Sequence, residues 1–141
     1  MVAAVTGSFL REVPGTTISH QDVIFWIGIA LMLAGIAIRA TAILTLRRFF
    51  TVRVMIQEGH QLVEHGVYSM VRHPSYSGAL VSFVGLGLAF GNWLSLIVIA
   101  GAALAAFSYR IHVEEQALLA HFGDRYRQYA AHTRRLIPGI Y

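Results

Sequence analysis

PSYSGALVSFVGLGLAFGNWLSLIVIAGAALAAFSY, residues 74–109, is a run of thirty-six residues between His73 and Arg110 that carries no charge. A single helix of that length would reach roughly 54 Å at about 1.5 Å per residue, far beyond a hydrocarbon core of about 30 Å, so the run has to fold back. Gly91-Asn92-Trp93 marks the break, a turn former followed by an aromatic suited to a membrane interface. The expectation is a hairpin of two helices, 74–90 and 93–110, both short for a span and therefore tilted or set in a thinned bilayer. Gly87 and Gly91 make a GxxxG, and Gly78, Gly85 and Gly101 are further points where backbones can approach, although ordinary packing glycines look the same in sequence.

Upstream, sixteen uncharged residues lie between Asp22 and Arg39. VIFWIGIALMLAGIAI from Val23 is apolar on every face, and the pattern continues past Arg39 to Leu46, about 36 Å of helix at roughly 1.5 Å per residue. Asp22 suits the positive end of that helix, and Arg39 near its other end can snorkel or face an internal cavity. Residues 1–21 read as a polar or interfacial lead with no cleaved signal peptide. The rest, 22–141, reads as a single membrane domain, with its motifs in 59–141.

Composition agrees. Of 141 residues, 56% are apolar and 13% charged, about half the charged share of an ordinary soluble domain. There is no cysteine, which excludes a disulfide framework, a thiolate metal site and a cysteine nucleophile. All eleven basic residues are arginine, which with the Ala and Gly content hints at a GC-rich bacterial genome and hence a bacterial inner membrane. The net charge of +4 does not indicate nucleic acid, because the arginines flank apolar segments instead of forming a basic stripe. Nine of them fall in 47–72 and from 110 onward and none in the 91–93 turn. With three spans, the positive-inside rule makes their face cytoplasmic and puts the N-terminus outside. The fold class expected is all-α: one N-terminal span, a helical hairpin and a cytosolic helical tail. That tail reads as an amphipathic helix with Leu118, Leu119 and Phe122, a stop at Gly123, and a second short helix with Tyr126 and Tyr129.

Polar residues gather at two places on that face. In GVYSMVRHPSYSG, 66–78, Gly66 suits a turn, Pro74 suits the first turn of a helix, and His73 or a neighbour would cap it. A helix N-terminus beside Arg72 is a ready anion site, though an interfacial loop with an anchoring arginine has the same sequence. The second place is Arg110-Ile111-His112-Val113-Glu114-Glu115. Adjacent carboxylates point about 100° apart on a helix, so one can pair with Arg110 while the other faces a pocket. His112 and Glu115 have a helical spacing, but no HExxH or second ligand pair accompanies them, and no metal site is expected. The hairpin glycines follow no strand and are no dinucleotide fingerprint, and no GxSxG or triad order is present.

The ordered set GVYSMVRHPSYSG, a hairpin, then RIHVEEQALLAHFGDRYRQYAAHTRRLIPGIY resembles the isoprenylcysteine carboxyl methyltransferase family and, more broadly, integral-membrane methyltransferases including phospholipid methyltransferases. The likeness covers roughly 39–141, with RRFFTVRV and GHQLVEHG ahead of the motif. It implies S-adenosylmethionine held in a non-Rossmann pocket by Arg72, His73, Pro74, Tyr76, Gly78, Glu114 and Glu115, with Tyr126 or Tyr129 as further contacts or interfacial anchors. It implies an acceptor that is a membrane lipid or a prenylated, lipophilic molecule. Arg110 and Glu114 are the catalytic candidates, Arg110 or Arg39 orienting an acceptor carboxylate bidentately. An ionised carboxylate and an activated methyl need positioning and a dry site more than a base. A single helix before the hairpin leaves a homo-oligomer open. Alternatives are a phospholipid N-methyltransferase or small-thiol methyltransferase, a sterol-type NADPH reductase with an RHPxY-like segment, and a non-catalytic membrane subunit.

Overall fold

The uncharged run folds back where Gly91 takes φ +65°, a left-handed conformation that glycine adopts without steric cost. The computed structural model describes residues 15–46 and 62–140. They form α1 (Gln21–Leu46), a 3-10 turn (Gly66–Ser69), α2 (Pro74–Ala89), α3 (Trp93–Phe122) and α4 (Asp124–His132). Among the described residues there is no strand, only the isolated bridges Thr17 to Asn92 and Val71 to Arg134. The all-helical class and the helix before the hairpin are as expected. The second arm differs: α3 runs through Arg110 and both glutamates to Phe122 as one helix of 30 residues. Nothing in 110–117 breaks a helix, so the amphipathic part of the tail is its continuation. The RRFFTVRV segment and the first three residues of GHQLVEHG lie outside the described residues, as does most of the N-terminal lead.

α1 and α3 are long and apolar enough to cross a membrane, while α2 is shorter at 16 residues. Only 11% and 22% of the most apolar stretches of α1 and α3 are buried, whereas the core helix of a soluble domain would bury most of its apolar residues. Trp26, Leu33, Leu44, Trp93 and Ile97 are all more than half exposed.

The chain divides into two compact units, Met1–Ala37 with Gly78–Ala106 and Ile38–Ser77 with Phe107–Tyr141. In the first, α1 crosses α2 at two glycine pairs. A Cβ on Gly28 would lie 2.6 Å from the Gly85 carbonyl oxygen, one on Gly85 would lie 2.5 Å from the Gly28 carbonyl oxygen, and one on Gly35 would strike the Gly78 carbonyl. Both glycine spacings are seven residues, so two antiparallel helices meet at each repeat. The GxxxG of 87 and 91 has other work: Gly87 makes room for Leu96 across the hairpin, Gly91 is in the turn, and Gly101 faces open space. Asn92 is fully buried and caps α3, its Oδ1 accepting from Leu94 N (2.8 Å) and Ser95 N (3.2 Å). Ile18 N donates to Gly91 O and Trp93 N to Thr16 O, fastening the chain before α1 to the turn.

In the second unit, Gly66 (φ +64°) opens the 3-10 turn and Gly123 (φ +54°) separates α3 from α4. Tyr68 and Tyr129 are buried; Tyr129 donates to Tyr68 O at 2.7 Å, and Tyr68 to Ala42 O at 3.4 Å. Burial pushes the phenols of Tyr68, Tyr126 and Tyr129 well above the usual tyrosine range, helped for Tyr68 by Glu114 and for Tyr126 by Glu115.

Candidate active site

Pro74 starts α2 because it needs no N–H partner and has a helical φ, and it is buried there. The helix is closed by the His73 carbonyl, which accepts from Tyr76 N and Ser77 N, both at 3.0 Å. The cap expected of His73 is therefore made by its backbone, and the imidazole is left for other partners. The residues after α4 lie against this start as a short strap: Arg72 N donates to Arg134 O (2.7 Å), His73 N to Arg135 O (3.0 Å) and Ser77 Oγ to Leu136 O (2.6 Å).

The two motifs meet. Arg72 Nε donates to Glu115 Oε1 at 2.9 Å, and its Nη1 donates to Ala130 O (2.9 Å) and Thr133 O (2.6 Å). Arg135 Nε donates to the other Glu115 oxygen at 2.9 Å. Arg72 and Glu115 are 10% and 13% exposed, so this pair is largely removed from water, where charge-assisted bonds count for more than on a surface. Sequence reasoning missed Arg135 as a partner, because nothing in a spacing of twenty residues indicates that the strap returns to α3.

Glu114 faces the other way. Tyr76 donates to Glu114 Oε2 at 3.1 Å and accepts from Arg110 Nε at 2.7 Å. The expected pairing of Arg110 with one glutamate of its own helix is thus bridged by a phenol from α2. The Tyr76 ring lies between His73 and Phe107, with centroids 5.8 Å and 5.4 Å away. Phe107 was not among the sequence candidates, yet it lies three residues before Arg110 on the same helical face. His73 is 3% exposed, its Nδ1 3.9 Å from Glu114 and its Nε2 3.5 Å from Glu115, too long for a firm bond. His73 Nε2 and the Tyr126 hydroxyl are buried without a hydrogen-bond partner, and such polar atoms are costly unless something satisfies them.

Of the sequence candidates, Arg72, His73, Pro74, Tyr76, Arg110, Glu114 and Glu115 belong to one unit. Gly78 belongs to the other, where its carbonyl meets Gly35 and accepts from Ser82 Oγ at 3.1 Å. Arg39 donates from Nη1 to Ser75 O at 3.3 Å, tying α1 to the first turn of α2. His112 sits beside Gln116, with 3.0 Å between their Nε2 atoms. Among the described residues no group of three or more metal-ligating side chains comes together.

A helical bundle with little-buried apolar helices and a charged cluster at the start of one of them defines an integral membrane protein with a polar site. The family model for isoprenylcysteine carboxyl methyltransferases matches residues 26–120, and the chain belongs to that family. It is 36% identical over 117 residues to a probable protein-S-isoprenylcysteine O-methyltransferase of Oryza sativa subsp. indica, covering 82% of this chain and 61% of the relative. It is 38% identical over 121 residues to protein-S-isoprenylcysteine O-methyltransferase B of Arabidopsis thaliana, with the same two coverages. A solved structure of the eukaryotic intramembrane Ras methyltransferase ICMT superposes with a TM-score of 0.85 at 32% identity, over 99% of this chain and 52% of that one. The chain therefore spans about three fifths of the length of these curated relatives.

Proposed function

We propose that the protein is an S-adenosylmethionine-dependent methyltransferase acting on the carboxylate of a lipophilic, isoprenylcysteine-like acceptor. The observation that carries this is the convergence of RHPSY and the Glu114-Glu115 pair, linked by Arg72 to Glu115 at 2.9 Å and Tyr76 to Glu114 at 3.1 Å. The donor set fits the cofactor: the unpartnered, buried His73 Nε2 and Tyr126 hydroxyl suit ligand hydroxyl, ammonium or carboxylate groups. Arg72, His73, Pro74, Tyr76, Glu114 and Glu115, which belong to one unit, are the residues proposed to hold it; Gly78 lies in the other unit. S-adenosylmethionine, when bound, supplies an activated methyl group on a sulfonium.

The chain's own residues then bind and orient. Arg110 is proposed to hold the acceptor carboxylate, and Glu114, 34% exposed, to act beside it, attracting the cofactor's positive charge. Glu115 is already bound by Arg72 and Arg135, so its first role is to keep the site's wall in place. No general base is needed, because the acceptor carboxylate is ionised and displacement depends on alignment and exclusion of water. We place the site at the cytoplasmic face of a bacterial inner membrane, with α1, α2 and α3 as three spans, on the distribution of arginines.

The test is to incubate the purified protein with labelled S-adenosylmethionine and either prenylcysteine analogues or a membrane lipid extract. Label in the prenylcysteine fraction as a base-labile methyl ester is expected. Label only in lipid amines moves the acceptor to phospholipid, and absence of binding to S-adenosylhomocysteine by calorimetry overturns the proposal.

A further inference from the structure

Two stretches of chain run side by side and change from charged to apolar at the same level. One is Arg72-His73, leading into the uncharged α2 at Pro74; the other is Arg134-Arg135, leading into Leu136, Ile137, Pro138, Gly139 and Ile140. Their register is parallel, through the Val71 to Arg134 bridge and then Arg72 N to Arg134 O (2.7 Å), His73 N to Arg135 O (3.0 Å) and Ser77 Oγ to Leu136 O (2.6 Å). Ser77 is three residues beyond Pro74, roughly 4.5 Å along the helix at about 1.5 Å per residue. The strap therefore follows the chain into its apolar helix, and the residues after Leu136 are delivered at the level of that first turn.

Residues 137–140 then close a tight turn. Ile140 N donates to Ile137 O at 3.1 Å, with Pro138 and Gly139 (φ +79°) at the two central positions, as a type II turn requires. Leu136 is buried, whereas Ile137 and Ile140 are 43% and 78% exposed. The four consecutive carbonyls of Arg134 to Ile137 each accept a hydrogen bond, and Pro138 has no N–H to satisfy. At a wetted surface water serves such groups; away from water the chain has to serve them itself. Exposed isoleucines on such a backbone, with the exposed Arg134 just before them, fit a partner that is apolar on one side and anionic on the other. We infer that the 137–140 turn dips back into the bilayer at the boundary between headgroups and acyl chains, with Ile137 and Ile140 against the chains and Arg134 at the level of the lipid phosphates. That depth, about 5–10 Å, leaves phosphate, glycerol and water within reach of the other backbone groups of the turn. Part of the segment read from sequence as a cytosolic tail is then a lipid contact. It holds down the strap that brings Arg135 Nε to Glu115 at 2.9 Å. The inference rests on α2 as a membrane span and is independent of the reaction.

The chain has no cysteine, so a single introduced thiol reports without background. Ile140→Cys is compared, in nanodiscs of phosphatidylcholine and phosphatidylglycerol, with Gln128→Cys at an exposed polar position of α4 and Ile97→Cys at an exposed apolar position of α3. A charged, water-soluble maleimide should modify the thiol at 140 at least about tenfold more slowly than the one at 128, because each unit by which apolar surroundings raise a thiol's pKa removes about tenfold of its thiolate. The thiol at 97 should be slow in the same way. A slowing of less than about tenfold at 140, with 97 slow, overturns the inference alone; if 97 also reacts as fast as 128, the membrane reading of the helices falls with it. Should Ile140→Cys not fold, Ile137→Cys is read in the same way. Wild type gives a second measurement that needs no substitution: photolysis of a lipid carrying a diazirine in its acyl chain should label peptides containing Ile137 to Ile140 as well as α1. A labelled α1 with an unlabelled 137–140 overturns the inference.

Discussion

Replacing Arg72 by lysine keeps the charge and discards the fork. Arg72 serves three acceptors at once, Glu115 Oε1, Ala130 O and Thr133 O, at 2.9, 2.9 and 2.6 Å, and it is only 10% exposed. A lysine ammonium is a compact donor at the end of a flexible stem and can reach the carboxylate or the two carbonyls, not both. Between one and two charge-assisted bonds are lost, at about 1.5–3 kcal/mol each before partial replacement, so a net loss of about 2–4 kcal/mol is expected. The loss falls on the segment they fasten, α4 and the strap, while the backbone bonds from Arg72 and His73 to Arg134 and Arg135 persist. Hydrogen exchange by mass spectrometry in detergent or nanodiscs reads this directly as local opening of 124–136. At about 1.4 kcal/mol per decade, protection there should fall by roughly 30- to 700-fold, with peptides from 21–37 unchanged. Arg72→Met, which also leaves Glu115 with one fewer cation, should fall at least as far. Protection of 124–136 within about threefold of wild type in both variants would refute the clamp.

Other expectations follow from the same contacts. Gly35→Ala places a methyl against the Gly78 carbonyl and Ser82, forcing α1 and α2 apart, and should destabilise by about 1–3 kcal/mol in thermal unfolding, whereas Gly101→Ala, which meets nothing, should be neutral or slightly stabilising. Asn92→Ala removes both cap bonds of α3 and the bond to Thr16 and should cost about 1–2 kcal/mol by the same measurement. Tyr68, Tyr126 and Tyr129 ionise in the unfolded chain near the ordinary value of 10.0 and well above it when folded. Their contribution is therefore fully present below pH 10 and is lost as pH rises from there toward the folded values. Unfolding on alkaline titration should coincide with their phenolate absorbance, and Tyr126→Phe should make stability less sensitive to alkali; phenolate appearing in the folded protein would sink this account.

Much of the architecture follows from local pattern. The uncharged run is too long for one span, so a turn was required, and Gly91-Asn92-Trp93 offers turn chemistry near its middle. Pro74 and Gly123 mark helix boundaries through their own backbone restrictions, and both do so in the structure. The exit of α3 was misjudged at Arg110, since a change from apolar to charged composition ends a hydrophobic stretch without ending a helix. The glycine crossing was legible in part: Gly78 and Gly85, expected as points of close backbone approach, are so, whereas their partners Gly28 and Gly35 were not singled out. GxxxG at 87 and 91 has the better-known spacing, while the pairs that meet, Gly28 with Gly85 and Gly35 with Gly78, become visible only when two helices are laid side by side.

The site shows the same division. By itself, the sequence determined which residue types exist to do chemistry and that they sit at the ends of apolar segments, because in lipid the few charged side chains have nowhere else to go. Tertiary structure decided who meets whom. Arg72 to Glu115 spans 43 residues and Arg135 to Glu115 spans 20, separations at which no periodicity relates two positions. Glu115, one of two adjacent and chemically identical carboxylates, became the anchor of the strap, and Glu114 the end of a chain through Tyr76 to Arg110. Their side chains leave the helix about 100° apart, and what each one finds depends on the neighbouring helix and strap packed there.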